Sequence, residues 1–125
     1  MEGLTLDSGA LIAFERNERR VVALLARAID HGLGIAVPAG VVGQVWRDGR
    51  RQARLARLLR ASDVEVEALD DAKARAAGQL CGMRGTADVI DASVVLCARA
   101  RGHGIATSDA ADLRVLDASA KLIPV

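Results

Sequence analysis

The chain has 125 residues, 51% of them hydrophobic, and a formal net charge of +1 at pH 7. This length favours a single domain, residues 1–125, that can bury one core but not two. The balanced charge argues against a general nucleic-acid coat, so any basic surface must be local. Phe14 and Trp46 are the only aromatic residues, and a core of small aliphatic side chains is typical of parallel strands packed between helices.

Residue patterns typical of strands and of helices alternate along the chain. This alternation predicts a three-layer α/β/α fold around a central, mainly parallel sheet of about five strands. Pro38 occupies the first-turn position that prolines prefer, and Gly49 is expected to end that helix. The predicted strands are residues 4–7, 34–37, 64–69, 105–109 and 122–125, and the predicted helices are residues 8–15, 18–31, 38 to the break at 49, 50–60, 70–82, 88–101 and a short one ending near 116.

The cysteines and the start of the chain predict the compartment. Cys81 and Cys97 lie in separate apolar helical stretches, which favours buried reduced thiols over a metal-binding motif. The first residues contain no basic stretch ahead of a long apolar one, and no run is long enough to span a membrane. We therefore expect a cytoplasmic protein with no membrane partner.

Several aspartates fall where this fold would bring them together. Asp7 and Asp109 each end a predicted strand, and the carboxyl ends of parallel strands share the sheet edge where doubly wound folds bind ligands. Asp88 and Asp91 lie in the first turns of the helix that precedes the second of these strands, so this helix begins at the same edge. Asp112 follows Asp109 by three residues, at the start of the next helix. These five acids therefore predict an acidic crevice.

A crevice of carboxylates indicates a divalent metal. Mg²⁺ and Mn²⁺ prefer oxygen ligands, and a metal held there can activate water and polarise a phosphoryl oxygen. Without a metal, the crowded carboxylates repel one another, so at least one should have a raised pKa. Helix capping is the alternative explanation, strongest for Asp88 and Asp112 and weakest for Asp7, Asp91 and Asp109. A capping residue can also serve as a ligand, so both interpretations stay open.

Arginine is concentrated in one segment of the chain. Fifteen of the 17 basic residues are arginines, and six of these lie between Arg47 and Arg60. Helical spacing predicts one face that carries Arg47, Arg51 and Arg54, with three leucines on the opposite side. This face is either a surface that follows a phosphate backbone or an ordinary solvated helix face.

Four segments stand in the order found in a known family: LTLDSGALI at residues 4–12, VPAGVVGQVWR at 37–47, DVIDASVV at 88–95 and TSD at 107–109. Together they resemble the PIN domain and, within it, the VapC-type toxins of bacterial toxin-antitoxin pairs. The resemblance implies a Mg²⁺-dependent endoribonuclease, with Mn²⁺ as a substitute ion, that cleaves RNA phosphodiesters. It also implies a homodimer and a cognate antitoxin protein that inhibits it.

The resemblance assigns roles to individual residues. It makes Asp7, Asp91 and Asp109 the catalytic metal ligands and makes Asp88 and Asp112 accessory acids. The residues expected to contact RNA or its phosphates are Ser8, Arg47, Thr107 and Ser108.

One family acid is absent from this chain. A glutamate usually stands two residues before the tryptophan-arginine pair, and here that position is Gln44. Glutamine keeps a carbonyl oxygen but removes one negative charge from the site. The Coulomb attraction of one such charge to a unit positive charge is about 4 kcal/mol at a distance of roughly 4 Å and an effective dielectric constant of about 20. Asp48 lies one turn further on but beside Gly49, which weakens it as a replacement. A PIN fold retained for binding RNA or protein, with weak or no catalysis, is therefore the alternative function.

Overall fold

A computed structural model describes residues 2–125 and confirms the predicted fold, with a five-stranded parallel sheet between two layers of helices. The elements in chain order are β1 (Gly3–Leu6), α1 (Ser8–Glu15), α2 (Arg19–Asp30), β2 (Gly34–Pro38), α3 (Ala39–Val45), α4 (Ala53–Arg60), β3 (Val64–Glu67), α5 (Asp71–Arg84), α6 (Val89–Arg101), β4 (Gly104–Thr107), α7 (Ala110–Leu116) and β5 (Leu122–Pro124). Right-handed crossovers between parallel strands place α1–α4 on one face of the sheet and α5–α7 on the other.

The order of the strands determines where a ligand can bind. The sheet runs β3-β2-β1-β4-β5, and all neighbouring strands are parallel. The chain moves outward from β1 to β3 and then returns to the other side of β1 to form β4. This reversal creates a topological switch point between β1 and β4, where open α/β sheets bind ligands beyond the carboxyl ends of the strands. Thr5 pairs with Ile105 across this junction, so Asp7 and Asp109 follow neighbouring strands.

The core consists of small aliphatic side chains, as the composition predicts. Every residue of β1 and β4 is buried, and Leu6 and Ile105 are at most 1% exposed. Trp46 remains 37% exposed and contributes little to the core. Cys81 and Cys97 are buried free thiols, in agreement with the predicted reduced state. Within residues 2–125, no helix combines the length and the apolar character needed to cross a bilayer.

Local signals at the helix ends bring α6 to the switch point. α5 ends at Gly85, which has a left-handed φ of 69°, a conformation that glycine adopts without a steric penalty. α6 then begins after Asp88, whose carboxylate accepts a hydrogen bond of 2.9 Å from the backbone N–H of Asp91. The cap therefore holds Asp91 in the first turn of α6, at the carboxyl edge of the sheet.

The segment between α3 and α4 differs from the prediction. Residues 46–52 form a turn between the two helices, so the predicted helix start at Arg50 is wrong. The predicted helical face of Arg47, Arg51 and Arg54 is also wrong, because only Arg54 lies in a helix. The arginines between 47 and 60 are therefore divided between an exposed turn and a short amphipathic helix.

A buried glutamine explains why this turn forms. The Gln52 side chain is only 8% exposed, and its carbonyl oxygen accepts from the backbone N–H groups of Arg47 at 2.7 Å and Asp48 at 2.9 Å. Its amide nitrogen donates to Glu15 at 3.1 Å and to the Val45 carbonyl at 3.0 Å. Three of these four bonds satisfy backbone groups, those of Val45, Arg47 and Asp48, that a continued helix would otherwise use.

Candidate metal centre

Asp7 lies at the junction of β1 and α1 and is only 4% exposed. Its carboxylate caps α1 by accepting a hydrogen bond of 2.9 Å from the Ala10 backbone N–H, and it also accepts a short hydrogen bond from the Thr107 hydroxyl. The capping explanation therefore holds for Asp7, although a capping carboxylate can still direct its charge at the crevice.

Thr107 connects the two strands of the switch point. Its side chain is fully buried, and its hydroxyl donates to Asp7 while accepting a 2.8 Å hydrogen bond from the Asp109 backbone N–H. The Thr107 hydroxyl thus holds Asp7, which follows β1, in a fixed position relative to the backbone of Asp109, which follows β4. The role of Thr107 was not predictable from its residue type, but its position two residues before Asp109 at a strand end was a usable signal.

Three carboxylates converge at the mouth of this junction. Asp91, Asp109 and Asp112 each offer an oxygen, and these atoms lie within 4.8 Å of one another. Asp91 is half-buried, whereas Asp109 and Asp112 are exposed. Asp7 lies outside this group of three. The structure therefore brings together three of the five predicted acids, with Asp7 behind them and Asp88 beside Asp91.

The pKa of Asp91 is raised to about 6. Burial is the largest cause, because it disfavours the charged carboxylate, and the negative charges of Asp88 and Asp109 add to it. The pKa of Asp7 is also raised by burial, although its hydrogen bonds from Thr107 and Ala10 act in the opposite direction. The prediction that crowding would raise the pKa of at least one acid is confirmed.

Asp109 and Asp112 interact directly. A hydrogen bond with the Asp112 side chain is the largest cause of a raised pKa at Asp109, followed by burial and by the charge of Asp112. Asp109 occupies the cap position of α7 but makes no side-chain capping hydrogen bond. The start of α7 therefore lacks a well-formed side-chain cap, although the Asp112 backbone N–H still interacts with the Asp109 carboxylate and acts to lower its pKa.

Gln44 lies on the exposed surface of α3. It is one turn beyond Gly40, where an added Cβ would collide with the side chain of Ile90 in the first turn of α6. Because residues four apart share a helix face, Gln44 belongs to the side of α3 that is turned toward the start of α6 and Asp91. Its amide thus brings no charge to the edge of the crevice.

The remaining predicted contact residues lie around the crevice or near it. A Cβ at Gly9 would overlap the Ser108 hydroxyl, so a glycine there allows the loop after β4 to approach the start of α1. Ser8 is half-buried, and Ser108 is exposed. Arg47 lies in the turn after α3, where its guanidinium donates to the Trp46 carbonyl at 2.7 Å. Sequence reasoning did not identify Gly9 or Gln52, since neither residue type signals its contact.

The donor set fits a hard divalent cation. The three clustered side chains offer only carboxylate oxygens, which are the ligands that Mg²⁺ and Mn²⁺ prefer. Among residues 2–125, no lysine or arginine forms an ion pair with any of the five acids. Their charge is therefore available to a cation from solution. A parallel α/β domain with such a cluster at its switch point could hold a hard divalent cation there.

The family follows from comparison with known proteins. Residues 4–118 match the model of the PIN domain family, so the chain belongs to that family, whose members are generally nucleases with acidic metal sites. No curated protein matches the chain significantly.

Solved structures share the fold at low sequence identity. VapBC2 from Rickettsia felis bound to a promoter DNA fragment matches with a TM-score of 0.71 and 15% identity, covering 98% of each chain. FitAB bound to the IR36 DNA fragment has a TM-score of 0.65 and 15% identity, covering 97% of this chain and 94% of the other. FitAcB from Neisseria gonorrhoeae has a TM-score of 0.62 and 18% identity, covering 96% of each chain.

Proposed function

We propose that this PIN domain is a divalent-metal-dependent endoribonuclease that acts as the toxin of a toxin-antitoxin pair. The observation that carries the proposal is the convergence of Asp91, Asp109 and Asp112 within 4.8 Å at the switch point of a PIN fold. Like charges at this distance oppose folding, and in a nuclease family a bound cation is the direct explanation for keeping them.

The catalytic residues in this proposal are Asp91 and Asp109. Asp7, expected from the resemblance as a third metal ligand, is assigned a positioning role, because it is 4% exposed and lies outside the cluster. Asp91 and Asp109 would hold Mg²⁺, or Mn²⁺ in its place, and when bound this ion supplies Lewis-acid polarisation of the phosphate and an activated water. Asp7 orients the site from behind, since it shares the Thr107 hydroxyl with the Asp109 backbone. We assign Thr107 this positioning role in place of the direct phosphate contact expected from the sequence, because its side chain is fully buried.

RNA would enter along the exposed rim of the crevice. Ser8 is the first residue of α1 and Ser108 lies in the loop after β4, and both offer hydroxyl donors to phosphate oxygens. Arg47 and the exposed arginines of the following turn supply positive charge, with side chains at Arg50 and Arg51 that are 93% and 88% exposed. Guanidinium groups bind phosphate oxygens with two parallel hydrogen bonds, which favours a backbone contact over reading of bases.

The proposed partners are the RNA substrate, a cognate antitoxin and a second copy of the chain in a homodimer, all in the cytoplasm. The support is the likeness to VapBC2 and FitAB, which were solved as complexes with DNA fragments. A short open reading frame beside this gene that encodes a DNA-binding protein is the expected antitoxin. Co-expression of that frame should relieve growth inhibition by the chain and should yield a co-purifying complex.

A second candidate function is a PIN domain that binds RNA or protein with weak catalysis. Gln44 favours this function, because it removes one charge from the position where the family usually has a glutamate. Under this alternative, the wild-type protein binds RNA without cutting it, and Gln44→Glu produces cleavage that the wild type lacks.

The decisive experiment is cleavage of a long RNA by purified protein with Mg²⁺ or Mn²⁺. We expect cleavage that EDTA abolishes and that Asp91→Asn reduces by about 100-fold or more. Asp70→Asn is the matched control, because Asp70 is likewise an aspartate at the start of a helix, where it caps α5, but it does not belong to the cluster. Equal activity of the Asp91→Asn and Asp70→Asn variants would contradict the proposed function.

A further inference from the structure

The positive charge of this chain is concentrated in two segments, residues 15–20 and 47–60. They contain nine arginines and three acidic residues, so together they carry a formal charge of +6. The other residues contain eight basic and thirteen acidic side chains and carry a formal charge of −5. The small net charge of the chain therefore combines a strongly basic part with an acidic remainder.

The fold brings the two basic segments together. Gln52, at the end of the turn after α3, donates from its amide nitrogen to the Glu15 carboxylate at the end of α1, at 3.1 Å. Asn17, with a left-handed φ of 58°, then turns the chain so that α2 begins at Arg19, and α1 packs against both α2 and α4. The arginines around this junction form one region, which we call the arginine surface: Arg16, Arg19, Arg20, Arg47, Arg50, Arg51, Arg54, Arg57 and Arg60.

Most of the charge on the arginine surface is not neutralised within the fold. Eight of its nine arginines are exposed. Among residues 2–125, the ion pairs formed by these arginines are limited to those of Arg50 and Arg51 with Asp48, at 3.5 and 3.9 Å. Arg47 donates to two backbone carbonyl oxygens, which carry no formal charge. Guanidinium groups without acidic partners are suited to binding phosphate oxygens.

Helix α3 connects the acidic crevice to the arginine surface. The first turn of α3 lies against α6 beside the crevice, since a Cβ at Gly40 would collide with Ile90. The other end of α3 leads to Arg47, whose guanidinium donates to the Gly43 carbonyl at 3.2 Å. The rise along a helix from Gly40 to Arg47 is about 10 Å. A chain that leaves the crevice along α3 therefore reaches the arginine surface within a few nucleotides.

We propose that the arginine surface, including the corner between α1 and α2, binds the phosphate backbone of the RNA outside the cleaved bond and does so without the metal. The five acids of the crevice repel a polyanion, and a divalent cation offsets only part of their charge. The arginine surface supplies the attraction that the crevice lacks. The inference rests on the proposed ribonuclease function and assigns the position of the rest of the substrate. The path along α3 favours RNA over an acidic protein segment, because an RNA chain continues beyond the bond that is cleaved.

The test is binding of a fluorescein-labelled RNA of about 12 nucleotides to the purified protein, followed by fluorescence anisotropy in EDTA, which prevents metal-dependent cleavage. The variants Arg16→Gln/Arg19→Gln and Arg50→Gln/Arg51→Gln should each weaken binding by about 10-fold at about 50 mM salt. Each should also reduce the slope of log affinity against log salt concentration by about 1.4, because two phosphate contacts are lost. Circular dichroism should show the wild-type fold, since all four side chains are exposed.

Arg75→Gln/Lys121→Gln is the matched control. It removes the same charge from two exposed positions outside the arginine surface, and it should weaken RNA binding by about 2-fold or less. Trp46 gives a second readout, because it is the only tryptophan of the chain and lies beside Arg60 in a recess between α3 and α4. Unlabelled RNA should change its fluorescence at the concentrations that change the anisotropy.

Equal losses of RNA affinity in the control and in the two arginine-surface variants would overturn the inference. A polyglutamate peptide that binds more tightly than RNA at the same salt concentration would also overturn it, in favour of an acidic protein partner. The proposed function fails separately if the wild type binds RNA through the arginine surface but does not cleave it with Mg²⁺ or Mn²⁺. Metal-dependent cleavage with unchanged RNA binding in both arginine-surface variants would contradict only the arginine surface.

Discussion

Two groups of charged residues at opposite ends of α6 are arranged in contrasting ways. Near the C-terminal end of the helix, Arg101 donates to Glu67 at 2.6 Å and to Glu65 at 2.7 Å, so one cation joins two carboxylates on the edge strand β3. At the N-terminal end, Asp91 approaches Asp109 and Asp112 with no cation paired to any of the three among the described residues. The first group is neutralised within the fold, whereas the second leaves its charge unpaired.

This contrast distinguishes charges that are paired within the fold from charges that are left unpaired. At the Arg101 group, the hydrogen bonds to Glu67 and Glu65 raise the pKa of Arg101 and connect β3 to α6. At the acid cluster, burial and repulsion raise the pKa of Asp91 to about 6, which means that ionisation of this site at neutral pH opposes folding. The fold pairs Glu65 and Glu67 with Arg101 but leaves Asp91, Asp109 and Asp112 without a cation. This is the pattern expected of a cation-binding site.

The largest expected effect comes from removing one charge from the unpaired group. Asp91→Asn should reduce RNA cleavage by about 100-fold or more, while the free energy of unfolding of the metal-free protein stays equal or rises. Cleavage kinetics and urea unfolding of the same preparation measure both quantities. A fall in stability of more than about 1 kcal/mol would identify Asp91 as a structural residue.

For the group formed by Arg101, Glu65 and Glu67, we expect a loss of stability without a loss of metal binding. Arg101→Met should lower the free energy of unfolding by about 2 kcal/mol, because it leaves Glu67, which is 11% exposed, with only the longer 4.0 Å contact to Lys73. Mn²⁺ affinity should not change. Arg75→Met is the matched control, since the Arg75–Asp71 pair is fully on the surface and should contribute about 0.5 kcal/mol or less. Similar losses in the two variants would remove the distinction between the groups.

The pH dependence of stability gives a further test, with a defined sign. A carboxyl whose pKa is higher in the folded state than in the unfolded state contributes stability below pH 4 that is lost as the pH rises through its folded value, here about 6. Metal-free wild type should therefore lose about 1–2 kcal/mol relative to Asp91→Asn between about pH 4 and about pH 7, after allowance for solvent screening. Urea unfolding at several pH values measures this difference, and a constant difference would contradict it.

Saturating Mn²⁺ should reverse that loss in the wild type. At about 100 times the dissociation constant, the metal adds about 2.7 kcal/mol to the free energy of unfolding. The same addition should have little effect on Asp91→Asn. An equal increase in both proteins would indicate that the ion binds elsewhere.

The smallest effect is expected for Thr107, whose hydroxyl connects the ends of β1 and β4. Thr107→Val keeps the shape of the side chain but leaves the buried Asp7 carboxylate without its hydroxyl donor, and it should cost about 1 kcal/mol of stability. Cleavage should fall by about 10-fold, because Asp109 loses the contact that positions its backbone. Thr107→Ser retains the hydroxyl and should restore most of the activity. Failure of serine to do so would indicate that packing, not the hydrogen bond, is the contribution of Thr107.

The sequence predicted the parts of this molecule that depend on local patterns. Apolar runs ending in aspartate predicted β1 and β4, and helix alternation predicted the parallel sheet that places Asp7 and Asp109 on neighbouring strands. The turn between α3 and α4 was not predictable, because it depends on the buried contact of Gln52 with Glu15, which is 37 residues away. The position of Asp7 behind the three clustered acids likewise involves a long-range contact, the hydrogen bond from Thr107, which is 100 residues distant in the chain.

The most direct measurement is the anomalous scattering of Mn²⁺ in crystals of the protein soaked with the ion at neutral pH. An unpaired acid cluster that binds metal predicts a strong peak about 2.1–2.4 Å from carboxylate oxygens of Asp91 and Asp109, and no comparable peak beside Glu65 and Glu67. The Asp91→Asn crystal should lose that peak. A peak that persists in Asp91→Asn, or the absence of any ion in the wild-type crevice, would contradict the account.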